Sequence, residues 1–377
     1  MSLTRSASLL SRDLVHVSHL QQLIKLGTVS EPSAYAGPIS IPATNLILDY
    51  VVNIGIGNPP TNYSLLVDTG SSNTWVGASK AYVKTSTSVQ TNDSVSVFYG
   101  TGSFGGTEFT DTVTLASGLV ITNQSIGVAN SSEGFPGVDG IMGIGPTDLT
   151  LGTLSPDTQS TIPTITDNLF SQGTIPRNLV AISFEPTTAA NVINGELTFG
   201  GTDPRKFTGD ISYAPLSTTP PASTFWGIDE SITYGTSGIN ILNETAGIVD
   251  TGTTLLLIAS DAAMRYQQAT GAVLDNSTGL FRLTPSQFAN LQSLFFHING
   301  VTHEFPANAQ AVPRALNEMF GGTNDYVYLV VSDIGTLGGG LGFIMGQAFL
   351  ERFYTVFDTT NKRLGFATTP FTNATMD

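Results

Sequence analysis

Leu65-Leu66-Val67-Asp68-Thr69-Gly70 is answered 182 residues later by Gly247-Ile248-Val249-Asp250-Thr251-Gly252. In both stretches a mainly apolar run ends on an acid that is followed at once by Thr-Gly. Short apolar runs bounded by turn residues read as buried strands, so each copy is a strand that finishes by presenting a carboxylate. A second pair trails the first: Gly140-Ile141-Met142-Gly143 and Phe343-Ile344-Met345-Gly346. One pattern written twice, about one domain apart, predicts two related halves that each contribute one acid.

The remainder of the chain agrees. From Leu46 to Ala367, short β-branched and aromatic runs alternate with Gly, Asn, Pro and Ser punctuation, which predicts a mainly β fold. Helical patterns are few: Ile165 to Gln172, Ser260 to Thr270 beginning at a Ser-Asp cap, and Pro285 to Leu294. Residues Asn53 to Asn58 superficially suggest a nucleotide loop, but Pro59 and Pro60 break the element and a hairpin turn is expected. At 377 residues the chain suits two lobes. We divide it into a leader or pro-segment remnant (1–37), a first lobe (38–201) and a second lobe (202–377). The leader carries apolar residues from Leu9 to Leu26 at roughly helical spacing, ending at Gly27. It lacks the compact apolar core and small-residue cleavage site of a signal peptide.

A lone buried carboxylate is costly. The cost falls when two carboxyls meet, because at close range they cannot both ionise and one proton is shared between them. Gly70 and Gly252 have no Cβ, so backbone amides can approach and hold the acids. Thr69 and Thr251 are placed to hydrogen-bond across the lobe boundary. In such a pair one carboxylate takes a proton from a water that attacks a carbonyl, while the other carboxyl protonates the developing oxyanion. Neither a metal, a cofactor nor a covalent nucleophile is needed, and none is expected.

Composition excludes other classes. With 29 acidic residues against 14 basic ones, the formal charge of −15 repels phosphate backbones and anionic lipid, so neither nucleic acid nor membrane is an expected partner. The shortage of Lys and Arg also limits positive self-repulsion as carboxylates are protonated, which fits an acidic working range. No cysteine is present, which removes disulfides and thiolate chemistry. No apolar run approaches the roughly 20 residues of a membrane-spanning helix. His16, His19, His297 and His303 lack metal-ligand spacing, and no Gly-X-Ser-X-Gly elbow is present. Asn-X-Ser/Thr sequons begin at Asn62, Asn92, Asn123, Asn130, Asn243, Asn276 and Asn373.

The paired Asp-Thr-Gly motifs, Val67 to Val76 (VDTGSSNTWV), Tyr99-Gly100-Thr101-Gly102-Ser103 and Phe353 to Ala367 (FYTVFDTTNKRLGFA) together resemble the pepsin family of aspartic peptidases, over about Asn45 to Ala367. Within that family the resemblance is to its cysteine-free branch from wood-rotting fungi. It implies a bilobal pepsin-like acid protease fold with the active-site cleft between two related β lobes. It also implies an aspartic endopeptidase with Asp68 and Asp250 as the catalytic pair, supported by Thr69, Gly70, Ser71, Trp75, Thr251, Gly252 and Thr253. Tyr99, Gly100 and Thr101 correspond to a flap that closes over an extended peptide, with the Tyr99 phenol directed toward Trp75. Leu66, Phe104, Val138, Ile141 and Ile248 flank the motifs as candidate apolar pocket walls, implying cleavage between large apolar residues. A neutral Thr101 implies little preference for basic side chains.

The expected partners are protein or peptide substrates, and the enzyme is expected to act as a monomer. The resemblance implies secretion, with a vacuolar location as the alternative, and a zymogen whose leader could set Lys25 against the acids. A relative that binds peptide without cleaving it would typically have lost an active-site Asp or Gly or the flap Tyr, and all of these are present.

Overall fold

A computed structural model describes residues 38–100, 102–335 and 339–376. The leader, with His16, His19 and Lys25, and the flap residue Thr101 lie outside the described residues. The architecture is mainly β, as expected. Among the described residues the strands form one 14-stranded sheet, one 7-stranded sheet and one 3-stranded sheet.

The large sheet bends through the first half and continues into the second. Its outer strands Thr208–Pro215, Arg363–Thr368 and Phe353–Asp358 come from the C-terminal part of the chain and join Leu179–Ser183, Val192–Phe199 and Ile39–Asn45 from the first half. The crossing point is an antiparallel ladder in which Leu179 faces Asp358 and Ile182 faces Thr355. Phe353–Asp358 is buried along its whole length, as a strand covered on both faces must be. The closing run quoted from the sequence is therefore a seam between the halves, and a cut at 201/202 divides one continuous ladder.

The second half is built on the 7-stranded sheet, with Gly227–Tyr234 and Ile239–Val249 paired antiparallel at its centre. A single apolar core runs through both halves, from Val52, Ile54 and Leu65 to Ile232, Leu257 and Phe349. The stretch around Gly55 to Pro60 is the predicted hairpin: Tyr50–Ile56 pairs antiparallel with Thr61–Asp68, and Gly57 turns the chain at φ 89°.

Two helix expectations need correction. The predicted helix Pro285 to Leu294 stops at Phe288, after a capping box between Thr284 and Gln287. Leu294 instead opens the strand Leu294–Ile298, which is hydrogen-bonded on both sides, to Gly227–Tyr234 and to Val301–Phe305. Sheet pairing here overrides local helical spacing. The helix Ser260–Thr270 forms where predicted, but no Ser-Asp cap starts it: the N-cap is Ala259, without a side-chain bond. Ser260 Oγ lies inside the first turn and is drawn to Asp333 Oδ1 at 2.7 Å, while Asp261 accepts from Arg265 at 2.9 Å.

Candidate active site

Asp68 is the last residue of the strand Thr61–Asp68, which runs parallel to Gly140–Gly143 with Asp68 opposite Gly143. Asp250 follows the strand Ile239–Val249, which runs parallel to Phe343–Met345 with Val249 opposite Met345. A third strand then flanks each pair antiparallel: Thr74–Val76 beside Gly140–Gly143, and Leu256–Ile258 beside Phe343–Met345. The trailing repeats in the sequence are thus the middle strands of two equivalent three-strand units. Gly140 is required there, because a Cβ would meet the Trp75 carbonyl oxygen at 1.9 Å.

Both acids are buried, at 1% and 0% exposure. Each is held by its own loop. Gly70 N–H donates to Asp68 Oδ1 at 2.9 Å and Ser71 Oγ to Oδ2 at 2.5 Å. Gly252 N–H donates to Asp250 Oδ1 at 2.9 Å and Thr253 Oγ1 to Oδ2 at 2.7 Å. The two loops also grip each other. Thr69 N–H donates to Thr251 Oγ1, and Thr251 N–H to Thr69 Oγ1, both at 2.9 Å. The same hydroxyls donate onward, Thr69 Oγ1 to the Val249 carbonyl at 3.2 Å and Thr251 Oγ1 to the Val67 carbonyl at 2.8 Å. Both amides and both hydroxyls of this buried junction are hydrogen-bonded, which ties the loops together. The acids are brought together: a Cβ on Gly70 would lie 2.6 Å from Asp250 Oδ1.

The hairpin Val89–Tyr99 and Gly102–Ala116 brings Tyr99 opposite Gly102 at its tip, beside Gly100. Strand alternation buries Val95, Val97 and Tyr99 together. They join Leu66, Trp75, Phe104, Ile141, Leu154 and Ile162 in a cluster separate from the main core. Trp75 stacks on Phe104 with ring centroids 4.3 Å apart, and Tyr99 lies 6.4 Å from both rings. Burial and then the Asp68 charge hold the Tyr99 phenol well above its ordinary pKa, while Trp75 and Ser71 pull it down. Tyr99 therefore faces the acid and not only the tryptophan.

Of the candidate pocket walls, Leu66, Phe104 and Ile141 belong to this cluster. Ile248 does not; it lies in the main core, paired with Gly227 and Ile344. Val138 is buried outside both groups. An unpredicted residue joins instead. Phe135, half-buried in the turn after the strand Leu119–Glu133, sets its edge against Trp75 at 5.0 Å and against Tyr99 at 5.3 Å. Its only sequence signal is an aromatic residue inside Gly134-Phe135-Pro136-Gly137.

The two histidines among the described residues have partners of their own. His297 bonds Thr233 and Thr302, and His303 bonds Ser212 and packs on Phe353 and Phe366. Burial pulls His303 down to about 4. Among the described residues no cluster of His, Asp and Glu is arranged to hold a metal. Desolvation pushes three glutamates up: buried Glu108 and half-buried Glu351 to about 7, and buried Glu230 well above the carboxyl range. Among the described residues no helix is long and apolar enough to cross a membrane.

Two strands delivering acids into reciprocally bonded Thr-Gly loops, under an aromatic-backed hairpin, make an arrangement suited to general acid and base work on one carbonyl. Comparison with known proteins gives the family. Residues 49–369 match the family model for eukaryotic aspartyl proteases. Polyporopepsin of Irpex lacteus is 66% identical over 337 residues, covering 89% of this chain and 98% of that protein. The crystal structure of the aspartic proteinase from Irpex lacteus superposes with a TM-score of 0.88, covering 90% of this chain and all of that one. Pepsin A of Rhinolophus ferrumequinum is 30% identical over 381 residues, covering 95% of this chain and 92% of that protein. The chain belongs to the eukaryotic aspartyl protease family and is a pepsin-like aspartic endopeptidase that acts on protein or peptide substrates.

Proposed function

We propose that Asp68 and Asp250 are the catalytic pair of this endopeptidase and share one proton at acidic pH. The observation that carries the reading is the reciprocal Thr69–Thr251 junction, which ties together the loops of two buried acids that each accept one amide and one hydroxyl. The ionised member takes a proton from a water as its oxygen bonds to the scissile carbonyl carbon. The protonated member gives its proton to the carbonyl oxygen. As the tetrahedral species collapses, the proton taken from water passes to the departing nitrogen, the C–N bond breaks, and a hydroxyl proton of the gem-diol returns to the other acid, which restores the singly protonated pair.

An extended peptide would lie along the cleft with alternate side chains in pockets, closed over by Tyr99, Gly100 and Thr101. Leu66, Phe104 and Ile141 form an apolar floor and half-buried Phe135 a wall, which favours large apolar residues beside the scissile bond. Residues 1–37 are read as a pro-segment, and the 38–201 and 202–377 segments as the lobes. Secretion as a monomeric glycoprotein fits the sequons, whose asparagines are all exposed; a vacuolar location is the alternative. The net charge of −15 fits neither nucleic acid nor membrane as a partner.

Incubation of the chain with an unfolded protein across acidic pH, with and without a statine-type mimic of the tetrahedral species, tests the substrate reading. New termini should fall between large apolar residues and vanish with the mimic. Cleavage clustered at basic residues would overturn the pocket assignment.

A further inference from the structure

Trp226 lies in no motif, yet it bonds directly to the strand that leads to Asp250 and, through Ile144, is linked to the end of the strand that carries Asp68. It immediately precedes the strand Gly227–Tyr234 and is buried. Its backbone carbonyl accepts from Val249 N–H at 3.0 Å, one residue before Asp250. Its indole Nε1–H crosses to the other half and donates to the Ile144 carbonyl at 3.0 Å. Ile144 N–H in turn donates to the Asp68 carbonyl at 2.8 Å. The Thr69 hydroxyl, on the residue after Asp68, donates back to the Val249 carbonyl at 3.2 Å.

These contacts close a ring. From Asp68 it passes through Ile144, Trp226, Val249 and Thr69 and returns to Asp68, crossing between the halves twice. One crossing is the threonine junction and the other is the indole N–H. The edge of Phe357 on the indole, at a centroid separation of 5.4 Å, holds the ring plane. A junction fixed at one crossing leaves a rotation free, and a second crossing removes it. Elsewhere between the halves, Gln347 Nε2 reaches the Ile47 carbonyl at 3.0 Å and Thr254 Oγ1 the Leu48 carbonyl at 2.9 Å. Neither of those contacts returns to the residue beside an active-site acid.

We propose that Trp226 is a positioning residue for the reaction: its indole N–H, bonded to Ile144, locks the second crossing of the ring and sets the distance between the Asp68 and Asp250 carboxyls. The inference rests on the catalytic-pair reading. Carboxyls allowed to drift apart interact less, so the two macroscopic titrations of the pair approach each other.

Trp226→Phe removes the N–H and keeps an aromatic ring, and benzothienylalanine at 226 keeps the bicyclic shape with sulfur in place of N–H. Each should lower kcat by at least ~10-fold with KM changed less than about twofold, as expected for lost alignment. Each should also narrow the bell-shaped kcat–pH profile by about half a pH unit or more. Phe296→Leu, a core change elsewhere in the 7-stranded sheet, should lower Tm and leave the profile superimposable on the parent. If Trp226→Phe does not fold, the benzothienylalanine protein decides. A folded variant lacking the N–H with the parental kcat and profile width would overturn the proposal. Activity surviving in Asp68→Asn or Asp250→Asn would instead overturn the catalytic-pair reading, so the two failures are distinguishable.

Discussion

Around Asp68 the loop supplies the Gly70 amide and the Ser71 hydroxyl; around Asp250 it supplies the Gly252 amide and the Thr253 hydroxyl. Up to this shell the halves are interchangeable, down to 2.9 Å amide contacts on each acid. Beyond it they part. The first half extends a hairpin whose Tyr99 feels the Asp68 charge, and Ser71, which donates to Asp68, also acts on the phenol. The second half sends Trp226 back to Ile144. On the proposed reading, one half covers the substrate and the other aligns the acids.

The largest effect that would break this equivalence is steric. Gly70→Ala places a methyl 2.6 Å from Asp250 Oδ1, and nothing between two fixed loops can yield. Activity should fall by ~100-fold or more, since misplacements near 1 Å cost that much. Near-parental kcat in a folded Gly70→Ala enzyme would mean that the acids are farther apart than described.

A second contrast lies in the buried glutamates. Glu108, in the first half, accepts from Ser125 Oγ, whereas neither carboxyl oxygen of Glu230, in the second, has a hydrogen-bond partner. Glu230 sits on the core-facing side of its strand, opposite Thr245 and Ile298. Burial raises its pKa in the fold above that in the unfolded chain. Its stability contribution is therefore complete below the unfolded carboxyl value of about 4.3 and is lost as pH rises through the folded value. Glu230→Gln should flatten the fall of Tm with pH and raise Tm above neutrality by at least ~3 °C. Glu108→Gln should do less, because its partly bonded carboxyl reaches only about 7. Calorimetry from pH 4 to 8 compares them, and a steeper fall in Glu230→Gln would contradict the assignment.

The smallest effect separates the two hydroxyls. Ser71→Ala and Thr253→Ala each remove one donor to a carboxylate, which raises that acid's pKa and moves the acidic limb of the kcat–pH profile upward, by up to about one unit. Ser71→Ala should also alter KM, because Ser71 lies against Tyr99 as well. Equal KM effects in both variants would erase the proposed division of labour.

The pair, its glycines and threonines, and the middle strands were legible because each rests on local chemistry: a buried strand, an acid and a residue without Cβ. The hairpin at Tyr99 was legible through its glycines. Partnership over long separations was not. Nothing in Phe353–Asp358 announces that it pairs with Leu179–Ser183, and Leu294 turned from helix to strand because two neighbours claimed it. Trp226 carries no motif; its role arises only when the fold sets it 3.0 Å from Ile144, 82 residues away. Phe135 was obscured for the same reason, since a lone aromatic in a turn gains meaning only from the rings it meets.

The equivalence of the two acids is tested most directly by steady-state hydrolysis of an unfolded protein at acidic pH by Asp68→Asn and Asp250→Asn, each confirmed folded by calorimetry. Both should lose ~1,000-fold or more in kcat, because each acid supplies a proton-transfer role the other cannot fill alone. Substantial activity in either variant would contradict a shared-proton pair.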